Sequence, residues 1–370
     1  MRKNCLSVAA MLLLGGSTLI ADSLEKSFQS GATEGHIGLY GHQFDHKGGA
    51  KDGFSNGNAS INYETAPFYN VSLGMGAWGS TKLSEKNDGD YDGAIADKGM
   101  IHQAFITYEE GELIKAVAGR QEVDFEWMTD FIEGATVELG YFDNLTLSLA
   151  WAKKQAVVGS DEITEFSNMN GNKGVYMLDA KYTPVEWLEI NPYYYHAQNM
   201  FSAPGIKATL SFELEEELKT STMFAYTQGK SDVVGTPDGY VMRAEQSVEL
   251  MGATLALGYV KTDKDGTAAL ESFGDQMPFE EGNYALSTNA KTPYITASYE
   301  IEGMTLGAIY SETSYEDAGA KFKEKELSLS MGYEVYTNLE ASLIYANVKN
   351  NDATNGDSYD AIKVALEYKF

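Results

Sequence analysis

The stretch Ser358-Tyr359-Asp360-Ala361-Ile362-Lys363-Val364-Ala365-Leu366-Glu367-Tyr368-Lys369-Phe370 decides the reading of this chain. Ile362, Val364, Leu366, Tyr368 and Phe370 fall on one face of an extended strand, and Lys363, Ala365, Glu367 and Lys369 on the other. Alternation at period two predicts a strand with one apolar face and one wet face.

The pattern recurs upstream. Leu145, Leu147, Leu149 and Trp151 alternate with Thr146, Ser148 and Ala150. Ile206, Ala208, Leu210 and Phe212 alternate with Lys207, Thr209, Ser211 and Glu213. Leu327, Leu329, Met331 and Tyr333 alternate with Ser328, Ser330 and Gly332. A soluble sheet would need a second layer over so many apolar faces, and no stretch supplies helices to cover them. Small and polar residues on the alternate face suit a water-filled interior, so the apolar face is assigned to lipid.

The connections alternate as well. Short ones lie near 65–67, 109–111, 142–144, 183–185, 215–217, 250–251, 302–303 and 336–338. Long polar ones lie near 45–57, 80–99, 121–132, 153–174, 197–205, 228–239, 262–290, 312–323 and 348–358. Short periplasmic turns and long extracellular loops predict an all-β transmembrane antiparallel barrel of about 18 strands. Strands near 55–65, 218–228 and 240–249 are weakly patterned, which makes about 16 the runner-up.

Hydrophobic residues are 43% of the 370. That is too few for helical spans, each of which needs a run of about 20 apolar residues. Residues 1–21 join a basic start to a short apolar run and end at Ala21, the form of a secretory signal peptide. Residues 22–32 are expected as a periplasmic lead-in, and 33–370 as one barrel. Cys5, the only cysteine, lies within the signal, so the exported part has no thiolate for a disulfide or a metal. Net charge is −27; without Arg2 and Lys3 of the signal, 25 bases face 54 acids, or −29. Such a chain does not bind nucleic acid through phosphates. It attracts cations.

A barrel of this size leaves an aqueous channel, narrowed only by a segment folded inward. The candidate is 121–132, with Arg120, Glu122, Asp124, Glu126, Asp130 and Glu133 as the charged residues of the constriction. Five acids against one base predict a preference for cations. Charges in the 262–290 connection are expected to count for less, because salt screens outer loops over about 10 Å at 0.1 M.

Two resemblances sharpen this. The final strand, with Tyr368 and Phe370, resembles the closing strand of bacterial outer-membrane barrels, whose last Phe belongs to the signal read by the barrel-assembly machinery. Ala118-Gly119-Arg120-Gln121, followed by Phe131-Ile132-Glu133-Gly134-Ala135, resembles the OprD-like (Opr family) outer-membrane porins, at the strand entering the constriction loop and the strand returning from it. The resemblance implies an integral barrel of eighteen strands in the bacterial outer membrane. It further implies surrounding outer-membrane lipid and lipopolysaccharide, a homotrimer in many members, and passage of small hydrophilic solutes. The chain departs from the family in two ways. Beyond the signal it holds only Arg120 and Arg243, so the family's arginine ladder is missing, as is the proline early in its loop. Carboxylate specificity therefore does not carry over.

The rival readings are a structural, adhesin-like barrel and a barrel hydrolase. His36, His42, His46, His102 and His196 are scattered, and no context marks a nucleophile, so an enzyme is not expected. Three histidines over eleven residues form no recognised metal spacing, and no metal site is expected. The acidic runs at 85–92 and 263–266 offer oxygen ligands without the twelve-residue spacing of an EF-hand. Loop-bound Ca²⁺ is thus the one cofactor alternative to none.

Overall fold

The computed structural model describes residues 23–370 except 216, 269, 271–276, 283 and 355. The expected signal at 1–21 lies outside the described residues. A short helix, α1 (Leu24–Gln29), precedes the first strand. The strands are β1 (Ala32–His46), β2 (Lys51–Glu64), β3 (Val71–Glu85), β4 (Gly99–Glu110), β5 (Ile114–Phe125), β6 (Met128–Phe142) and β7 (Leu145–Ala156). Then come a two-residue β8 (Ser167–Asn168), β9 (Val175–Val185), β10 (Leu188–Ala197), β11 (Phe201–Glu215), β12 (Leu218–Ser231) and β13 (Gly239–Leu250). The last six are β14 (Ala253–Thr262), β15 (Lys291–Ile301), β16 (Met304–Asp317), β17 (Ala320–Tyr336), β18 (Leu339–Asn350) and β19 (Tyr359–Lys369). A second short helix, α2 (Asp90–Ala94), sits between β3 and β4.

Each wall strand pairs antiparallel with its sequence neighbours, β7 reaching β9 directly, and β19 pairs back onto β1. The result is a closed barrel of eighteen wall strands, with β8 as a short addition to β7. Closure leaves no open edge, so the backbone can sit in hydrocarbon. The seam runs from His46↔Tyr359 to His36↔Lys369, and Gly35 and Phe370 exchange both backbone hydrogen bonds at 2.9 and 3.0 Å.

Burial identifies the faces. On β1, Leu39 is 52% exposed while Tyr40 is 6%. On β17, Leu327, Leu329, Met331, Tyr333 and Val335 all point out, while Glu326 and Ser328 are buried inside. The face assigned to lipid is therefore the outer one. Exposed aromatic residues gather at the short-turn end: Tyr141 and Phe142, Trp187 stacked on Phe212, and Tyr368 stacked on Phe370. This is the interfacial belt expected of rings with an apolar body and a polar edge.

Several expected long connections are tight hairpins. β1 and β2 are joined by 47–50, and β16 and β17 by 318–319 alone. β17 has 17 residues, whereas crossing the bilayer takes about 9–11. The strands extend past the hydrocarbon, where both faces are wet and alternation disappears while the ladder continues. The turn expected at 183–185 falls at 186–187. The weakly patterned strands are present as β2, β12 and β13.

The lead-in is ordered. Ser23 caps α1 through its hydroxyl, which accepts from the Lys26 amide at 3.2 Å. The Ser27 hydroxyl and carbonyl bind the carbonyl and amide of Ala66, docking the helix on the β2–β3 turn.

At the other end, Asp45 pairs with Lys51 on the outer face at 2.5 Å, so this level lies beyond the apolar band. Here His46 stands between Asp357 at 2.6 Å and Asp52 at 3.2 Å. Burial pulls the imidazole down, but the hydrogen bonds and charges of the two carboxylates outweigh it, and its pKa is raised. Its clasp on the 351–358 connection is therefore complete at low pH and lost as pH rises through the raised value. In a proton NMR titration, His46 is expected to titrate above the usual histidine value, and Asp357→Asn to lower the midpoint. A midpoint unmoved by that change would remove Asp357 from the clasp.

Candidate functional site

The motif at 118–121 and 131–135 builds a hairpin that turns into the barrel. Gly119 and Gly134 are direct cross-strand partners on β5 and β6. Gly119 has φ +127, and a Cβ there would lie 2.2 Å from the Ala104 carbonyl oxygen; one on Gly134 would lie 1.9 Å from that of Trp151. Only glycine allows this approach. At this level β5 leaves β4, whose ladder ends at Ala104↔Arg120, while β6 stays with β7 as far as Phe131↔Ala156. The expected loop at 121–132 is thus a continuing β-hairpin with a two-residue turn, Glu126-Trp127.

The tip bonds to the inward faces of four other strands. The Trp127 amide donates to the Tyr195 hydroxyl on β10 at 2.9 Å, and its indole N–H to the Thr227 hydroxyl on β12 at 3.1 Å. Arg243 on β13 donates to Glu126 at 2.7 Å, and Lys207 on β11 pairs with the other carboxylate oxygen. Val123, Trp127, Met128 and Ile132 join Tyr193, Tyr195, Val241 and Val260 in a buried apolar cluster. One face of the hairpin is therefore packed against the wall.

The six charged residues proposed from sequence divide. Glu126 is buried in that packed side, where Arg243 and Lys207 oppose it. Arg120 pairs with Glu133 at 3.3 Å, Glu133 also with Lys154 at 3.1 Å, and the Arg120 guanidinium lies 4.4 Å over the Phe166 ring. Glu122 and Asp124 are exposed on the opposite face of β5, and Glu122 is within electrostatic reach of Asp130, Asp124 and Glu34. Phe131, across from Glu122, packs edge-on to His102 of β4 at 4.9 Å. Glu122 and Asp124 thus face the side of β1–β4.

A second segment inside the barrel comes from the 262–290 connection, expected to lie outside. Leu270, Met277, Phe279 and Ala285 are buried in the same cluster as Trp127. Glu281 pairs with Lys363 on β19 and accepts from the Tyr359 hydroxyl at 3.1 Å. Glu326 on β17 accepts the amides of Glu280 and Glu281 at 2.9 and 3.2 Å. The visible signal was the run Met277-Pro278-Phe279, apolar within a polar connection.

Glu85, Asp90 and Asp92 of the 85–92 run are engaged by the chain itself. Asp90 accepts the amides of Asn87 and Gly53 at 2.8 and 3.0 Å. Burial alone would raise its carboxyl, but these bonds hold it below the usual range. Glu85 accepts the Gly89 and Tyr91 amides, and Asp92 pairs with Lys98. Among the described residues, no group of three or more His, Cys, Asp or Glu is arranged for a metal. His36 is bound to Ser60 and Asn58, and His42 to Tyr40.

A family model described as "Putative outer membrane protein" matches residues 25–227, more than half of the chain. Curated proteins returned no match. Among solved structures, Pseudomonas aeruginosa OpdQ superposes with TM-score 0.71 at 16% identity, covering 92% of this chain and 99% of that one. Pseudomonas aeruginosa OpdK, solved with vanillate, gives 0.77 at 13%, covering 93% and 99%. Acinetobacter baumannii OccAB3 gives 0.73 at 15%, covering 92% and 99%. These neighbours are outer-membrane porins, and at such identities the likeness carries the fold.

Proposed function

The chain belongs to this family of outer membrane proteins, and on that premise we propose that it is a porin for passive diffusion of small hydrophilic solutes, narrowed by the β5–β6 hairpin and preferring cations. The observation that carries the reading is the tip at Glu126-Trp127, bonded to β10–β13 from within the barrel. A segment fixed across the interior by a buried ion pair and two hydrogen bonds sets a waist. It holds without the long proline-bearing loop of the resembled family.

Support for cation preference comes from Glu122 and Asp124, exposed on one face of β5, with Asp130 and Glu34 on β1 nearby. Glu126 and Glu133 contribute little, because each meets two bases. Fixed carboxylates at a waist hold cations where water is confined. Vanillate belongs to OpdK; with no arginine ladder here, an aromatic carboxylate is not the proposed solute.

The test is a reversal potential under a KCl gradient in a planar bilayer. The wild type is expected to reverse on the potassium side. Glu122→Gln with Asp124→Asn should move it towards zero, and by more at low salt than at 1 M, where screening reaches about 3 Å. A wild-type preference for chloride would contradict the electrostatic reading.

A further inference from the structure

The long-loop end of the barrel holds a cavity that the pore reading does not use. Its volume is about 510 Å³, within the range of small-ligand clefts. Three connections enclose it: β12–β13 through Thr236 and Pro237, both ends of β14–β15, and the top of β16 through residues 315–317.

The chain itself fixes the walls. Gly229 and Gly239 are direct cross-strand partners on β12 and β13. A Cβ on Gly239 would lie 2.0 Å from the Gly266 carbonyl oxygen, and one on Gly229 2.4 Å from that of Thr267. Two facing glycines thus let the segment 265–268 cross these strand ends at backbone contact. On the other side, the Glu316 amide donates to the Thr288 carbonyl, and the Asn289 side chain to the Glu316 carboxylate, each at 2.9 Å. The Asn289 amide donates to the Asp263 carbonyl at 2.8 Å, tying together the two ends of the β14–β15 connection.

The lining selects the ligand. Tyr284 and Tyr315 stack with centroids 4.3 Å apart and planes 19° from parallel, and both line the cavity. Tyr315 is buried and Tyr284 half-buried, so the ring within reach is that of Tyr284. Asp265, Glu316 and Asp317 bring carboxylates, and Thr236, Ser287 and Thr288 bring hydroxyls. Among the described residues no Lys, Arg or His lines the cavity, so an anion meets no counter-charge there. Two of the carboxylates are already answered by bases that do not line it, Asp265 by Lys264 at 2.7 Å and Glu316 by Lys321 at 3.8 Å. Little net charge is left to hold a cation. An uncharged ligand rich in hydroxyl donors matches these acceptors, and one with a flat C–H face matches the tyrosine. A sugar ring has both.

We propose that this cavity binds a saccharide, with the C–H face of one sugar ring on Tyr284 and its hydroxyls donating to Glu316 and Asp317. Saturation-transfer NMR on the folded barrel, in a detergent without a sugar headgroup, tests it. Glucose, galactose, maltose and lactose are offered one at a time, with tetramethylammonium as the cation comparison. Transfer to the ring C–H protons of at least one sugar is expected. Transfer to glucose or galactose supports the site and assigns a free solute; transfer to a disaccharide alone, at its non-reducing ring, supports it and assigns the end of a surface glycan. Tyr284→Ala removes the platform and should weaken binding about tenfold. Thr288→Trp fills the cavity and should abolish the transfer. Heat-shifted gel migration checks that each variant is folded, and the filling variant carries the test if the other is not. No transfer to any of these sugars would overturn the proposal, as would equal transfer in the wild type and the folded variants. Transfer to tetramethylammonium as strong as to any sugar would overturn it in favour of a cation site. Binding is read without current, so each of these failures leaves the porin reading standing.

Discussion

Glu126→Ala is expected to free the tip of the β5–β6 hairpin and to raise single-channel conductance, with a noisier open level. The carboxylate is buried and meets Arg243 at 2.7 Å and Lys207 on its other oxygen. Removing it takes that carboxylate away from Arg243, which is buried, and from Lys207, which is partly exposed. Breaking a buried pair from one side costs about 3–5 kcal/mol, mostly through the charge left behind. The remaining anchors include the two Trp127 hydrogen bonds, worth about 0.5–1.5 kcal/mol each, and the packing of Val123, Trp127, Met128 and Ile132. The hairpin should therefore leave the wall for part of the time. Trp127→Ala removes packing instead of charge, at about 3–5 kcal/mol, and should have the same effect on current. If both variants keep the wild-type conductance, the hairpin is not what limits the pore, and the 277–285 segment becomes the candidate waist.

Phe370→Ala is expected to cut the amount of barrel in the outer membrane severalfold, with export to the periplasm unchanged. Phe370 does two things at the seam. Its backbone exchanges hydrogen bonds with Gly35, extending the β1–β19 ladder beyond Lys369, and its ring stacks on Tyr368 at the membrane face. Alanine keeps the backbone pair and removes only the ring. A loss of insertion would therefore assign the signal to the aromatic side chain, as the resemblance to other outer-membrane barrels implies. Deletion of Phe370 removes both and should be at least as severe. Wild-type insertion of the alanine variant would place the signal elsewhere.

The barrel was legible because lipid imposes one rule on every strand. Leu327, Leu329 and Met331 must be apolar since they touch hydrocarbon, and their neighbours must not be. Beyond the bilayer that rule lapses. Phe44, Asp45, Lys51 and Asp52 are paired across β1 and β2, yet neither face is selected for apolarity, and the stretch looked like loop. The inward segment was legible through the family resemblance at 118–121 and 131–135, although not as a hairpin. Nothing in the composition of 121–132 separates a loop from strands whose ladder continues into the lumen. The partners of Glu126 were hidden for a different reason. Arg243 and Lys207 stand more than eighty and a hundred residues away in the chain, respectively for Lys207 and Arg243, and only closure of the barrel brings them to the tip. Met277, Phe279, Glu281 and Ala285 were missed because their connection was taken as polar throughout, when Met277 and Phe279 mark a part that is buried.

The central claim is that this outer-membrane barrel conducts. The direct measurement is current across a planar bilayer as purified, heat-modifiable protein is added in symmetric KCl. Discrete and equal upward steps, each persisting at constant voltage, are the predicted result. A bilayer that stays silent while the same protein inserts into liposomes as a folded barrel would contradict it, and would leave a closed surface barrel in place of a pore.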